Sequence, residues 1–475
     1  MATINNKIED GTIQSRDTDE VLRTLLKDVT SHLPACDRRR VILVGNTARL
    51  CASEVAVRAA QVITIDLGKQ GNHKNVTRLG NFPPVLEEDS TKNLLAENSG
   101  DLLIYDHRIS LSNEDQLKSL KHSLSLVREN AYVCFLQTIT SGKENNEQQG
   151  MDDLWRITSI TSPGSQPDEG FGLEVVLIRP ITRTYTPQRE NEADRKMVWL
   201  FQKVKRKLNK DMTFTTLHEI LNNQLYTKTR IRQLESIFGR TFVSAGGLTA
   251  TKEFLKKLCL RPGQKVLDVG CGIGGNAFYM AKEFGVKVIA MDLSSNMIDI
   301  AKERAKELNI TETDVDFEVA DATRREYPPD YFDVIFSRDT ILHIASKLQL
   351  FRKFKTFLKP GGQVLVSDYC CSEGEHTQQF KDYVKTFGYS ILSQREYCST
   401  MEEAGFIRID TENKTDLFIK TTTLELDRLV TRREDYIKEF SLEDYDAFST
   451  MWRNTQKCAA VGDQILGLFY AEKPA

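Results

Sequence analysis

The densest chemical signal in the sequence is the run Val266-Leu-Asp-Val-Gly270-Cys-Gly272-Ile-Gly274-Gly275, an apolar stretch that ends in closely spaced glycines and opens onto a helical pattern. Glycines at such a strand-to-helix turn let the backbone bend sharply and approach a ligand. Gly270, Gly272 and Gly275 also satisfy G-x-G-x-x-G, so the loop by itself fits a dinucleotide enzyme equally well. Neighbouring carboxylates separate the two ligands. Asp268 lies inside the strand, where a pyrophosphate meets an unfavourable charge and a cationic amino-acid group gains a partner. Asp292 closes the next apolar run, 22 residues after Gly270, spaced to accept both hydroxyls of a ribose. Asp321, ending FEVADA, is placed to accept from the exocyclic amine of an adenine. Three acids around one crevice suit S-adenosylmethionine, whose sulfonium is positive, better than NAD.

These residues need a frame, and the sequence supplies its rhythm twice. Apolar runs of four to eight residues alternate with amphipathic helical windows, the pattern of a mostly parallel, doubly wound α/β sheet. In the first half the runs are Val41–Gly45, QVITIDLG with Asp66 at its end, Leu102–Tyr105, Tyr132–Leu136 and Leu173–Ile178. In the second they are KVLDVG, VKVIAMDLS, FEVADA, FDVIFSR and GQVLVSDY. Between them Thr182–Asp211 loses the rhythm under a dense mixture of charges, and its basic cluster Lys203–Lys210 reads as one solvated face of a helix. The expected organisation is therefore a domain over 1–181, a linker over 182–211 and a second domain over 212–475. At 475 residues the chain has room for two such cores. Its 64 Lys and Arg against 67 Asp and Glu give a net charge of −3, which excludes a basic nucleic-acid binder. No apolar stretch approaches the roughly 20 residues of a membrane span, and the polar amino terminus MATINNKIED has no apolar signal core, so the expectation is a cytoplasmic protein without membrane insertion. The nine cysteines contain no C-x-x-C and read as reduced thiols, and neither they nor the seven histidines show metal-ligand spacing.

In order over about a hundred residues, VLDVGCGIGG, Asp292, the ADA segment, FDVIFSRD and LKPGGQVLVSDY resemble class I S-adenosylmethionine-dependent methyltransferases. Before the loop stand Asn222-Asn-Gln-Leu-Tyr226-Thr and Phe242-Val-Ser244-Ala-Gly-Gly247, and after the fourth strand Ser337-Arg338-Asp339-Thr-Ile-Leu-His343. These segments resemble the phosphoethanolamine N-methyltransferases of plants, nematodes and protozoan parasites, from Gln224 to the carboxyl terminus. The resemblance implies two class I methyltransferase domains of Rossmann-like, doubly wound fold, the first degenerate, as in the nematode type with its working domain at the carboxyl-terminal end. It implies a cofactor site of Ser244, Asp268, Gly270, Gly272, Asp292, Leu293, Asp321, Ala322 and Arg338. It also implies Tyr226 and His343 as the catalytic pair, and Tyr226, Asp339, Tyr369 and Tyr389 around the substrate.

A tyrosine and a histidine beside an amine make chemical sense. Methyl transfer is an in-line displacement, and the attacking nitrogen needs a free lone pair, whereas an alkylammonium is mostly protonated near neutrality. A His with an unperturbed pKa of about 6.5 accepts that proton, through a Tyr–His hydrogen bond, while Asp339 draws in the amine and Tyr226 offers a π face to the growing methylammonium. On the phosphate side the sequence departs from the family: Phe387 stands where arginine is usual, and Thr455 at the register of a lysine, with Arg453 and Lys457 nearby. In the first half the glycine loop is worn to Val44-Gly-Asn-Thr-Ala-Arg, and Pro34, Cys36 and Asp37 replace the lid, so no cofactor is expected there. The resemblance points to a small-molecule phosphobase as partner. It implies methylation of phospho-monomethylethanolamine and phosphodimethylethanolamine to phosphocholine, S-adenosylhomocysteine as co-product, and poor use of phosphoethanolamine. Transfer to another small or carbon acceptor, or all three phosphobase methylations, is the alternative; a cofactor-binding scaffold without turnover is opposed by the intact acids and glycines.

Overall fold

The computed structural model describes residues 217–475 continuously and, ahead of them, residues 40–45, 61–67, 73–79, 100–106, 120, 123–139, 162–163, 169–180 and 195–207. The chain divides into two compact units, Met1–Thr216 and Leu217–Ala475.

In the first unit the strands are β1 (Arg40–Gly45), β2 (Gln61–Leu67), β3 (His73–Leu79), β4 (Gly100–Asp106), β5 (Val127–Ile139), the short β6 (Ser162–Pro163), β7 (Glu169–Pro180) and β8 (Arg195–Lys207). They lie in the order β7-β8-β5-β4-β1-β2-β3. β1, β2, β4 and β5 run parallel, and β3 and β8 run antiparallel to their neighbours. Four of the five apolar runs read from the first half fall inside these strands, and β2 takes Gln61–Leu67 of the fifth. The segment read as a linker does not stay one. Its part Arg195–Lys207 is β8, paired with both β5 and β7, because the charges bracket an apolar core, Val198-Trp-Leu-Phe201, that is buried. Lys203, read as part of a solvated helical face, is buried in this strand, where its ammonium donates to the carbonyls of Leu124 (3.0 Å) and Val127 (2.6 Å) and lies over the Phe171 ring. The worn loop after Gly45, and Pro34, Cys36 and Asp37, lie outside the described residues.

The second unit repeats the plan with β9 (Lys265–Val269), β10 (Lys287–Asp292), β11 (Val315–Ala320), β12 (Phe332–Arg338), β13 (Leu358–Cys371), β14 (Ile407–Asn413) and β15 (Gln464–Glu472), ordered β14-β15-β13-β12-β9-β10-β11. β15 alone runs antiparallel to its neighbours. The chain steps outward from β9 through β10 and β11, then returns to β12 on the other side of β9. That reversal opens a crevice at the carboxyl ends of β9 and β12, the usual ligand site of an open α/β sheet. Central strands buried on both faces explain the apolar runs: Val266, Leu267, Ile335, Phe336, Val364 and Leu365 are fully enclosed. Three helices, Thr415–Thr431, Arg433–Glu439 and Leu442–Ala460, are inserted between β14 and β15.

Side chains set the starts of the helices that carry the site. Thr227 accepts from the Arg230 amide (3.2 Å) to begin the helix Lys228–Phe238, and Ser294 accepts from Met297 (3.3 Å) to begin Ser295–Glu307. The seven cysteines among the described residues are all free, and no described helix is long and apolar enough to cross a membrane.

Candidate active site

The glycine loop is shaped by what stands against it. Gly270 (φ 74°) and Gly272 (φ 56°) both adopt left-handed backbone. A Cβ at Gly270 would lie 2.1 Å from the Thr340 hydroxyl, and one at Gly272 would lie 2.9 Å from Val243. Beside the loop is a cavity of about 350 Å³ whose walls include Tyr226, Ser244, Gly270, Gly272, Asp292, Leu293, Asp321, Ala322, Arg338, Asp339 and His343. Eight of the nine residues read as cofactor-binding thus share one space. The ninth, Asp268, is fully buried just behind it in β9, and neither of its carboxyl oxygens has a hydrogen-bond partner among the described residues.

That orphaned carboxyl is what a site for a cationic amino-acid group requires. Desolvation, reinforced by the charge of Asp292 and opposed by Arg338, pushes the Asp268 pKa up to about 8. Asp292 closes β10 with one oxygen accepting from the Gly272 amide (3.0 Å) and the other from Ser294 (2.8 Å); burial lifts its pKa to about 6 against the pull of those amides. Asp321 folds its own turn, accepting from the Thr323 amide (2.8 Å) and hydroxyl (2.7 Å) while lining the cavity. The residues therefore fit S-adenosylmethionine, for which Asp268 would face the ammonium, Asp292 the ribose and Asp321 the adenine.

Arg338, read as a cofactor ligand, lines the cavity and also braces the backbone beside it. Its two terminal nitrogens donate to the carbonyls of Gly247 (2.9 Å) and Ala245 and to the Thr251 hydroxyl (2.8 Å), bracing the turn that presents Ser244, while its buried Nε has no hydrogen-bond partner among the described residues and lies 3.7 Å from the Asp339 carboxylate. Ser244 hydrogen-bonds Asp339, which also takes a long bond from Ser367 (3.4 Å). Asp339 is a non-glycine residue at φ 51°, a conformation that costs on the order of 1–3 kcal/mol and is held here by the hydrogen bond its N–H donates to the Ser367 carbonyl (2.8 Å).

Over the cavity, Leu221–Leu225 forms a single π-helical turn ending at Tyr226, whose amide donates back to Leu221 (2.6 Å). Two asparagines fasten this turn. Asn222 accepts from the Ser294 hydroxyl (2.7 Å), and Asn296 donates to the carbonyls of Asn222 (3.0 Å) and Tyr226 (2.9 Å). Tyr226 and His343 line the same cavity, without a hydrogen bond between them among the described contacts. His343 instead meets the Tyr389 ring edge-on at 5.1 Å. Burial, with Lys347 nearby, lowers the His343 pKa to about 4, so its imidazole is neutral at physiological pH. Burial and the surrounding acids raise the Tyr226 hydroxyl far above its usual range.

Tyr369 and Tyr389 stand behind this wall. Tyr389 reaches the cavity through His343, and Tyr369 packs on Phe418 (5.6 Å). Between them is Tyr383, which the sequence reading missed; it hydrogen-bonds both Tyr389 and Thr455. Its signal was present in the spacing, since Tyr383 and Phe387 are one helical turn apart and face the same way. Arg453 and Lys457 are exposed while Thr455 is buried, so neither basic neighbour stands in for it. Asn222 and Asn296 were missed as well, because an asparagine in sequence gives no hint of which distant carbonyl it reaches.

Residues 260–405 match a family described as a methyltransferase domain. The chain is 34% identical over 457 residues to phosphoethanolamine N-methyltransferase 1 of Arabidopsis thaliana, covering 94% of this chain and 91% of that protein. It is 29% identical over 390 residues to phosphoethanolamine N-methyltransferase 2 of Caenorhabditis elegans, 81% of this chain and 87% of that one. Among solved structures, Haemonchus contortus phosphoethanolamine N-methyltransferase 2, in complex with phosphomonomethylethanolamine and S-adenosylhomocysteine, superposes with a TM-score of 0.76 at 26% identity, covering 96% of this chain and all of that one. Sheet order, glycine loop and acids together define a class I S-adenosylmethionine-dependent methyltransferase. Within that class the chain belongs to the phosphoethanolamine N-methyltransferases, and it is a phosphobase N-methyltransferase.

Proposed function

We propose that the second unit methylates phospho-monomethylethanolamine and phosphodimethylethanolamine, ending at phosphocholine, and uses phosphoethanolamine poorly. The observation that carries this reading is the meeting in one cavity of the donor-binding acids Asp292 and Asp321 with Tyr226, Asp339 and His343. Bound S-adenosylmethionine supplies an electrophilic methyl group on a sulfonium. The chain's residues do the rest. Asp339 attracts the substrate ammonium, Tyr226 offers its ring to the methylated nitrogen, and neutral His343 accepts the proton that must leave before the nitrogen can attack. The nematode relative whose crystal structure holds phosphomonomethylethanolamine supports the choice of a methylated acceptor.

The first unit keeps the sheet but not the glycines, and we assign it no cofactor. The enzyme acts in the cytoplasm, where its product feeds phosphatidylcholine synthesis. An acceptor screen with labelled methyl donor tests the reading. The two methylated phosphobases should exceed phosphoethanolamine by tenfold or more in kcat/KM, about 1.4 kcal/mol. Equal efficiency on all three overturns the step preference, and no transfer to any phosphobase overturns the function.

A further inference from the structure

His343 stands on a short 3-10 turn, Ile341–His343, between β12 and the helix Lys347–Phe357. The turn's own bonds run from the His343 amide to Thr340 (3.1 Å) and from the Ile344 amide to Ile341 (2.9 Å), and 3-10 bonds are of poor geometry. Lys347 grips the turn from outside. Its ammonium has three donors, and they go to the carbonyls of Ile341 (2.9 Å) and Ile344 (2.8 Å), which bracket His343, and of Ser390 (2.6 Å). Ser390 follows Tyr389, whose ring meets the imidazole at 5.1 Å, and the Ser390 amide donates back to the Leu342 carbonyl (2.7 Å). One buried cation therefore joins the two backbone segments that present the histidine and the ring packed on it.

Stability alone disfavours a lysine there. Lys347 is the first residue of its helix, where the macrodipole opposes a cation, and at 3% exposure its ammonium has also lost its water. Its charge does act on the imidazole, adding to burial in keeping that ring neutral. The other titratable groups facing the ammonium are Asp368 and Cys370 of β13; beside the imidazole stands Tyr389, and Tyr226 and Asp339 share its cavity.

Resting on the role given to His343 above, we propose that Lys347 is a positioning residue, which fixes the histidine turn against the Tyr389 segment so that the imidazole stands where the substrate ammonium must lose its proton. It lies outside the cavity walls and acts through His343. Its charge serves the same end, because a ring held neutral is always in its accepting form.

Turnover, donor binding and the titration of His343 in the full chain test this. Lys347→Met should lower kcat about ten- to hundredfold, with donor affinity changed less than about twofold. Added to His343→Ala, the same substitution should cost less than about twofold more, since residues that act as a unit do not add. The His343 imidazole, identified in NMR spectra by its loss in His343→Ala, should titrate about half a pH unit higher or more in Lys347→Met, because a neighbouring cation is gone. Lys347→Gln, which keeps two donors, is the second variant should Lys347→Met not fold, as donor binding reports; it should show the same titration shift with a smaller loss of turnover. Normal turnover in a folded variant, or an equal loss with and without His343, overturns the inference. Near-normal turnover in His343→Ala sinks instead the histidine's part in the proposed function; the titration then decides alone, and an unmoved imidazole overturns the inference.

Discussion

Burial holds the Asp268 carboxyl protonated below about pH 8 in the donor-free enzyme, whereas an ammonium beside it favours the carboxylate. Donor binding near neutrality should therefore release up to one proton, and affinity should rise with pH until about 8. Calorimetry in buffers of different ionisation enthalpy checks this; a heat independent of buffer would refute it, and Asp268→Asn should abolish the dependence. His343 shifts the opposite way. With its pKa near 4, its imidazole is already neutral at pH 5.5, so the histidine limb of the kcat profile should fall near pH 4 and not 6.5. His343→Ala and Tyr226→Phe should each lower turnover by about a hundred- to ten-thousandfold with donor affinity nearly unchanged. Near-normal turnover in both variants from pH 6 to 9 would remove the pair from the mechanism. At this scale the acids and glycines were legible because their spacing along strand ends mirrors their spacing in the crevice. The backbone partners of Arg338 were not, because sequence gives a guanidinium its charge but not the carbonyls it reaches.

The π-helical turn at Leu221–Leu225 hangs over the cavity by hydrogen bonds that include those of Asn222 and Asn296. Each such bond is worth about 0.5–1.5 kcal/mol, so Asn296→Ala, which loses two, should displace Tyr226 and lower kcat/KM about tenfold with the fold intact. Unchanged kinetics with an unchanged melting temperature would show that Tyr226 is placed by its packing on Ile273 and Met297. From another element, Glu425 in the helix Thr415–Thr431 accepts from the Gly246 amide (2.6 Å), and burial lifts its pKa to about 7. Because the folded state holds protons on Asp268 and Glu425 that the unfolded chain releases near pH 4, stability falls as pH rises through that window. Donor-free protein should melt several degrees higher at pH 5.5 than at pH 8, at about 2–4 °C per kcal/mol for a unit of this size, and Glu425→Gln should shrink the difference. Strands with long apolar runs were readable at this scale. β8 was not, since an apolar core of four residues framed by six charges looks like a linker until its two partner strands are known.

The same strand order in both units separates fold from site: the sheet depends on buried apolar runs, the ligand on a loop between them. Residues 217–475 alone should bind donor as tightly as the whole chain, and residues 1–216 should not bind it; strong calorimetric binding to the latter would overturn the assignment. In each unit, moreover, the strand laid down last in the chain is not at the edge. β15 lies between β13 and β14, and β8 between β5 and β7. On a ribosome that emits the chain from its amino end, each sheet waits with an open slot until its final strand emerges. Until residues 464–472 are free, β14 has no neighbour in the sheet and the helix Leu442–Ala460 lacks the strand that follows it. The second unit thus closes its sheet only after residues 464–472 have emerged, long after every residue placed around the donor.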